Sequence, residues 1–151
     1  MTEIRFYHLQ RARLEDVLPT MLERAHGRGQ RALVALGSAE RVEALAAHLW
    51  TYRPDSFLPH GTGKDGDATR QPIFLTDQPG NPNEAQLLLL CDGASRSDLA
   101  AFDLVCELFD GNDETIVAEA RGRWRDYKAA GHTLIYFQQN DAGRWEEKAR
   151  A

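Results

Sequence analysis

"RALVALGSAERVEALAAHLW", residues Arg31 to Trp50, decides the fold. Its first part, "ALVAL", is a short and nearly continuous apolar run, the pattern of a strand covered on both faces as in parallel sheets. Ser38 follows where it can cap a helix. Val42, Leu45, Ala46 and Leu49 then recur at helical spacing and form one buried stripe. Upstream, "EIRFYHL" sets Ile4, Phe6 and His8 against Arg5 and Tyr7, the two-residue period of a strand. "LEDVLPTMLERAHGRG" places Leu14, Val17, Leu18, Met21, Leu22 and Ala25 on one helical face. Pro19 inside that pattern predicts a kink or a helix that starts just before it, and Gly27 and Gly29 end it. Strand, helix, strand, helix argues for an α/β sheet with right-handed crossovers.

Working outward, residues 51–71 carry Pro54, Pro59, Gly61, Gly63 and Gly66 and read as a long surface loop. "PIFLT" is a strand, "QPGNPNE" a turn and "AQLLLLC" a central strand. "SRSDLAAF" is a short helical turn and "DLVCELF" another strand. "DGNDE" caps a long helix to about Ala130, with Asp113 and Glu114 at its positive end and Gly131 stopping it. "TLIYFQQ" reads as the last strand. The expected organisation is one α/β domain over residues 1–138 and a loosely ordered tail over 139–151.

The totals agree with a soluble domain: 151 residues, 42% hydrophobic, 27% charged and a net charge of -5. No run approaches the ~18 apolar residues of a membrane span. The N-terminus carries Glu3 and lacks a long apolar segment, so no signal peptide is expected. Cys91 and Cys106 lie inside apolar runs and read as buried free thiols, consistent with a reducing cytoplasm. With no CxxC pair and scattered histidines, neither a zinc site nor any other metal or cofactor is expected.

"PHGTGKDGD" imitates a phosphate loop but departs from it. Leu58 stands where the first glycine belongs, Asp65 takes the hydroxyl position, and Asp65 and Asp67 would repel phosphate. No G-x-G-x-x-G follows the first strand, and no G-x-S-x-G or H-E-x-x-H occurs. His60 could serve as a base, although a loop histidine more often only hydrogen-bonds. The reading is a nucleotide-type fold without catalytic equipment, hence a binding module rather than an enzyme.

"RGRWRDYKAAG", Arg121 to Gly131, sets a cationic and aromatic patch on this acidic chain. At about 100° per residue, Val117, Arg121, Trp124 and Lys128 fall on one strip, with Arg125 at its edge. Ile116, Ala120 and Tyr127 form the core face, and Arg123 borders it on the far side. Trp124 thus stands between core and cations. An indole beside a planar guanidinium suits a chain terminus: the carboxylate on Arg121, a terminal aromatic ring near Val117 and Trp124, preceding acids toward Arg125 and Lys128. Three other readings compete. Basic residues in a helix's last turns are favoured by its dipole whatever they bind. Aromatics among cations also serve single-stranded nucleic acid. A nucleotide-dependent enzyme would instead use the 59–67 loop.

These residues resemble the chi subunit family of bacterial DNA polymerase III. Three features carry the likeness: "HLWTYRPDSFLPH", with Trp50 seven residues before Phe57 in Asp55-Ser56-Phe57-Leu58-Pro59-His60; "RWRDYKAAGHTL", with Arg121, Trp124, Tyr127, Ala130 and Gly131; and the opening "IRFYHL". They span Ile4 to about Phe137. The resemblance implies a Rossmann-like three-layer fold, a mostly parallel sheet with helices on both faces and no nucleotide-binding loop. It implies a non-catalytic accessory subunit of the replicative polymerase. Such an adaptor binds the acidic, Phe-ended C-terminal tail of single-stranded-DNA-binding protein and links it to the clamp loader. The implied tail site is Val117, Arg121, Trp124, Arg125 and Lys128. Val117 stands where a relative has a lysine, so that cationic contact is missing or is supplied by Arg125 or Lys128. The implied interface for the psi subunit, where one is present, is Trp50, Phe57 and Pro59. DNA is then reached through these partners.

Overall fold

The computed structural model describes residues 2–53 and 57–151. Its strands are β1 (Glu3–Leu9), β2 (Ala32–Ala35), β3 (Gly61–Thr62), β4 (Ile73–Thr76), β5 (Leu87–Leu90), β6 (Leu104–Asp110), β7 (Thr133–Gln139) and β8 (Trp145–Arg150). The helices are α1 (Leu14–Gly27), α2 (Ala39–Thr51) and α3 (Glu114–Ala129). One open sheet runs in the order β3-β4-β2-β5-β6-β1-β7-β8. Among the described residues, every pairing is parallel except β7 with β8.

The expected α/β architecture is present, and the sequence explains its layers. All four residues of β2, of β4 and of β5 are buried, as strands covered on both faces must be. Leu18, Leu22, Leu45 and Leu49 of α1 and α2 pack with Val34, Leu75, Leu89 and Leu108 on one face. Ile4 and Phe6 of β1 turn to the other face, where Val105, Phe109, Leu134 and Ala120 of α3 meet them. Two helices on one face and one on the other make three layers.

Pro19 does not break α1, which runs through it. A proline there leaves the carbonyl four residues back, that of Glu15, without its helical donor. His48 of α2 donates through Nε2 to that oxygen at 2.7 Å. A side chain from the neighbouring helix thus restores the bond that the proline removes.

Two expectations are corrected. The 51–71 segment is not simply a surface loop. It holds β3 and two short 3-10 turns, Gly63–Asp65 and Ala68–Arg70, and Leu58, His60, Gly61 and Thr62 are buried. Pro54, Asp55 and Ser56, which carry part of the quoted motif, lie outside the described residues. The segment expected as a loose tail contains β8, which pairs antiparallel along β7. Its side chains are almost all exposed and charged, which suits the outer strand of a sheet. Trp145 anchors it, edge-on to Tyr7 at 5.1 Å.

Candidate functional site

α3 is built to hold its strip in one place. The Asp113 carboxylate caps its start, accepting from the Thr115 and Ile116 amides at 2.9 and 3.3 Å. Its end closes on Gly131 at φ 89°, with Gly131 N–H bonded to Lys128 O and His132 N–H to Tyr127 O. That pair of bonds requires a left-handed residue, which is why glycine stands there.

Of the four cations around Trp124, one is structural. Arg123 turns inward and pairs with Glu107 of β6, whose side chain is 3% exposed. Arg121, Arg125 and Lys128 are exposed, and among the described residues none of the three makes an ion pair. Trp124 is half-buried. Its ring meets Phe6 at 5.3 Å and Tyr136 at 5.9 Å, both edge to face. Val117 is also half-buried against the same cluster. The structure therefore brings Val117, Arg121 and Trp124 together at the margin of the core, with Arg125 and Lys128 on the solvent side.

Two contributors at this margin were not singled out from the sequence. Tyr136 of β7 and His8 of β1 are joined by a 2.6 Å bond between the phenol and Nδ1. Burial lowers the His8 imidazole below its ordinary 6.5, the Gly111 backbone opposes, and the nearby Arg121 charge lowers it further. Burial raises the Tyr136 phenol and the same guanidinium opposes. Arg121 is thus electrostatically coupled to both. The alternation of β1 already puts His8 on the α3 face. Glu107 was missed too. The signal was its parity, an acid between inward-facing Val105 and Phe109.

The second group of residues lies on the opposite face of the sheet. Among the described residues, Trp50 and Phe57 are the large hydrophobic side chains left exposed, at 52% and 73%. Their rings are 5.6 Å apart, and Trp50 lies 4.3 Å from the His60 ring. His60 is buried, and its two nitrogens meet the Leu58 and Ala46 carbonyls at 2.7 and 2.9 Å. The ring is a strut under the aromatic pair. Pro59, between Phe57 and His60 in sequence, is half-buried.

The glycine-rich segment uses its polar groups internally. Asp65 accepts from the Thr62 amide at 2.7 Å, and Lys64 pairs with Glu43. Cys91 and Cys106 are free and buried, and burial pushes both thiols up, Cys106 to about 12. Among the described residues no cluster of metal-binding side chains is found, and no helix is long and apolar enough to cross a membrane.

The comparisons with known proteins agree with one another. The model of the family described as DNA polymerase III chi subunit, HolC, matches residues 1–135. A probable DNA polymerase III subunit chi from Rickettsia prowazekii is 23% identical, over 99% of this chain and 93% of its own. The DNA polymerase III subunit chi of Pseudomonas aeruginosa is 25% identical, over 89% and 94%. A match over residues 1–135, which includes the whole α3 strip, assigns the family: the chain belongs to the DNA polymerase III chi subunits.

Proposed function

We propose that this replication subunit is an adaptor. The α3 strip receives the acidic, Phe-ended C-terminal tail of single-stranded-DNA-binding protein. The Trp50–Phe57 patch docks a clamp-loader element, the psi subunit where one is present. The observation that carries the reading is Arg121, exposed and without an ion-pair partner among the described residues, one turn from a half-buried indole. A terminal carboxylate would find its planar donor pair there, and the terminal ring would lie on Val117 and Trp124. Arg125 and Lys128 would draw the preceding acids, so binding weakens with salt. Calorimetric titration with a short acidic peptide ending in phenylalanine tests this reading. Absence of heat at millimolar peptide would rule the tail site out.

The same titration has an expected pH dependence. A carboxylate on Arg121 offsets the repulsion that this cation exerts on His8, so the imidazole pKa is higher in the complex. The bound state then holds more protons, and affinity rises as pH falls. The expected result is tighter binding at pH 6 than at pH 7.5. His8→Gln should flatten the profile; a flat profile in the unaltered protein contradicts the coupling.

Direct binding of single strands is less well supported. A stacking platform sets several aromatics along a cationic groove, whereas this strip offers one half-buried indole on a chain of net charge -5. For the other surface, Trp50→Ala and Phe57→Ala should weaken co-purification with the clamp-loader partner at least about tenfold. Tail-peptide affinity should stay unchanged, because α2 and α3 lie on opposite faces. Loss of both activities together would place the two sites on one surface and contradict the adaptor geometry.

A further inference from the structure

Alternation along β1 and β7 sends His8 and Tyr136 to the face of the sheet that α3 covers, on the side of Phe6 and Leu134. The Tyr136 ring is not fully covered there. It is half-buried, edge-on to Trp124 at 5.9 Å and stacked on Phe6 at 6.2 Å. Its hydroxyl lies 2.6 Å from His8 Nδ1 and has no other hydrogen-bond partner among the described residues.

His8 is fixed in that orientation. It is 7% exposed, and the Phe109 ring meets it edge-on at 5.3 Å. A Cβ at Gly111 would stand 1.9 Å from His8 Cδ2 and 2.0 Å from Nε2, so the imidazole fits only because residue 111 is glycine. Nε2 abuts that backbone and makes no hydrogen bond. The charges facing the ring are Arg121 of α3 and Asp110 of β6. Wedged in this way, the ring keeps Nδ1 on the phenol.

A phenol oxygen accepts and donates at once. Neutral His8 either takes the phenol proton at Nδ1 or donates from it. Protonated His8 carries hydrogen on both nitrogens, so Nδ1 must donate and the phenol's own hydrogen must turn outward. The charge of Arg121 acts on Tyr136 as well as on His8. An outward O–H beside an exposed guanidinium places a neutral donor next to a cationic one. A carboxylate, which accepts at several lone pairs, uses both.

On the tail-site reading above, on which this rests, we infer that the Tyr136 hydroxyl is a second donor to the terminal carboxylate held by Arg121, and that His8 sets the direction of that donor. Val117 and Trp124 take the terminal ring, while Arg121 and Tyr136 take the charged end. β7 then contributes to selecting a free carboxyl end, together with α3.

The test is calorimetry of the full chain and of Tyr136→Phe, with the acidic Phe-ended peptide and its amidated form, at pH 6 and pH 7.5. The variant keeps the ring on Phe6 and Trp124 and removes only the oxygen. It should bind the acid peptide about fivefold or more weaker at pH 6, yet bind the amidated peptide within about twofold of the unaltered chain. It should also narrow the difference between the two pH values. Should the variant fail to fold, the Tyr136 Cζ carbon resonance of the unaltered chain decides, because it responds to hydrogen bonding of the hydroxyl. It should move with the acid peptide and stay in place with the amidated one. Equal losses for both peptides in Tyr136→Phe, or an unmoved Cζ, overturns the inference, and the tail site stands if the unaltered chain still prefers the acid peptide. No binding of either peptide by the unaltered chain overturns both.

Discussion

Arg121→Ala is expected to weaken binding of the acidic, Phe-ended peptide by about 10- to 100-fold, the loss of a hydrogen-bonded charge contact worth roughly 1.5–3 kcal/mol. The reason is geometric as well as electrostatic. Arg121 is the cation of the strip that stands one turn from Trp124, and the planar fork of a guanidinium holds a carboxylate in two places. Lys at this position should recover only part of the affinity, because an ammonium supplies charge without the fork. Arg125→Ala and Lys128→Ala should each cost only a few-fold, and that cost should vanish at high salt, where exposed charges are screened. Folding stability should hardly move in any of these variants, within about 0.5 kcal/mol, since all three side chains are exposed. Calorimetry and urea unfolding on the same samples separate the two effects. Unchanged affinity in Arg121→Ala, with Lys128→Ala strongly impaired, would move the carboxylate site along the helix.

Two residues further on, the opposite result is expected. Arg123→Ala should leave the peptide site little changed but destabilise the fold by about 3–5 kcal/mol, the cost of stranding a buried charge. Glu107 is the charge left behind, with its side chain 3% exposed, while Arg123 itself is 18% exposed. Burial already pushes the Glu107 carboxyl up against the pull of Arg123 and Tyr127, so its charged form depends on that cation. Replacing both partners, as Glu107→Leu with Arg123→Met, should recover most of the loss, because no unpaired charge remains. Urea midpoints of the two single variants and the double variant form the cycle that checks this. A loss below about 1 kcal/mol in Arg123→Ala would mean that water reaches Glu107.

The contrast between these neighbouring arginines marks how far the sequence could be read. Winding α3 as a helix separates Arg121 from the core face and puts Arg123 at its border. Both placements agree with the structure. What winding cannot show is the partner, because Glu107 comes from another strand and strand order is not local information. β1 lies between β6 and β7, five places from β3, for reasons that depend on crossovers and not on any one segment's pattern. The apolar runs at Ala32–Ala35 and Leu87–Leu90 were legible as buried strands since both their faces are covered. "WEEKAR" was illegible for the converse reason. An outer strand exposed on both sides has no hydrophobic alternation and looks like a solvated tail. His60 sits in a glycine- and proline-rich stretch that reads as surface. Only the contacts to Leu58, Ala46 and Trp50 reveal it as a strut.

The proposed adaptor depends on a carboxylate at a chain end meeting Arg121 beside Trp124. The most direct measurement is a pair of calorimetric titrations, with one acidic peptide ending in phenylalanine and the same peptide amidated at its C-terminus. Amidation should weaken binding about tenfold or more at low salt, through loss of one charge-assisted contact. Equal affinity for the two peptides would contradict it.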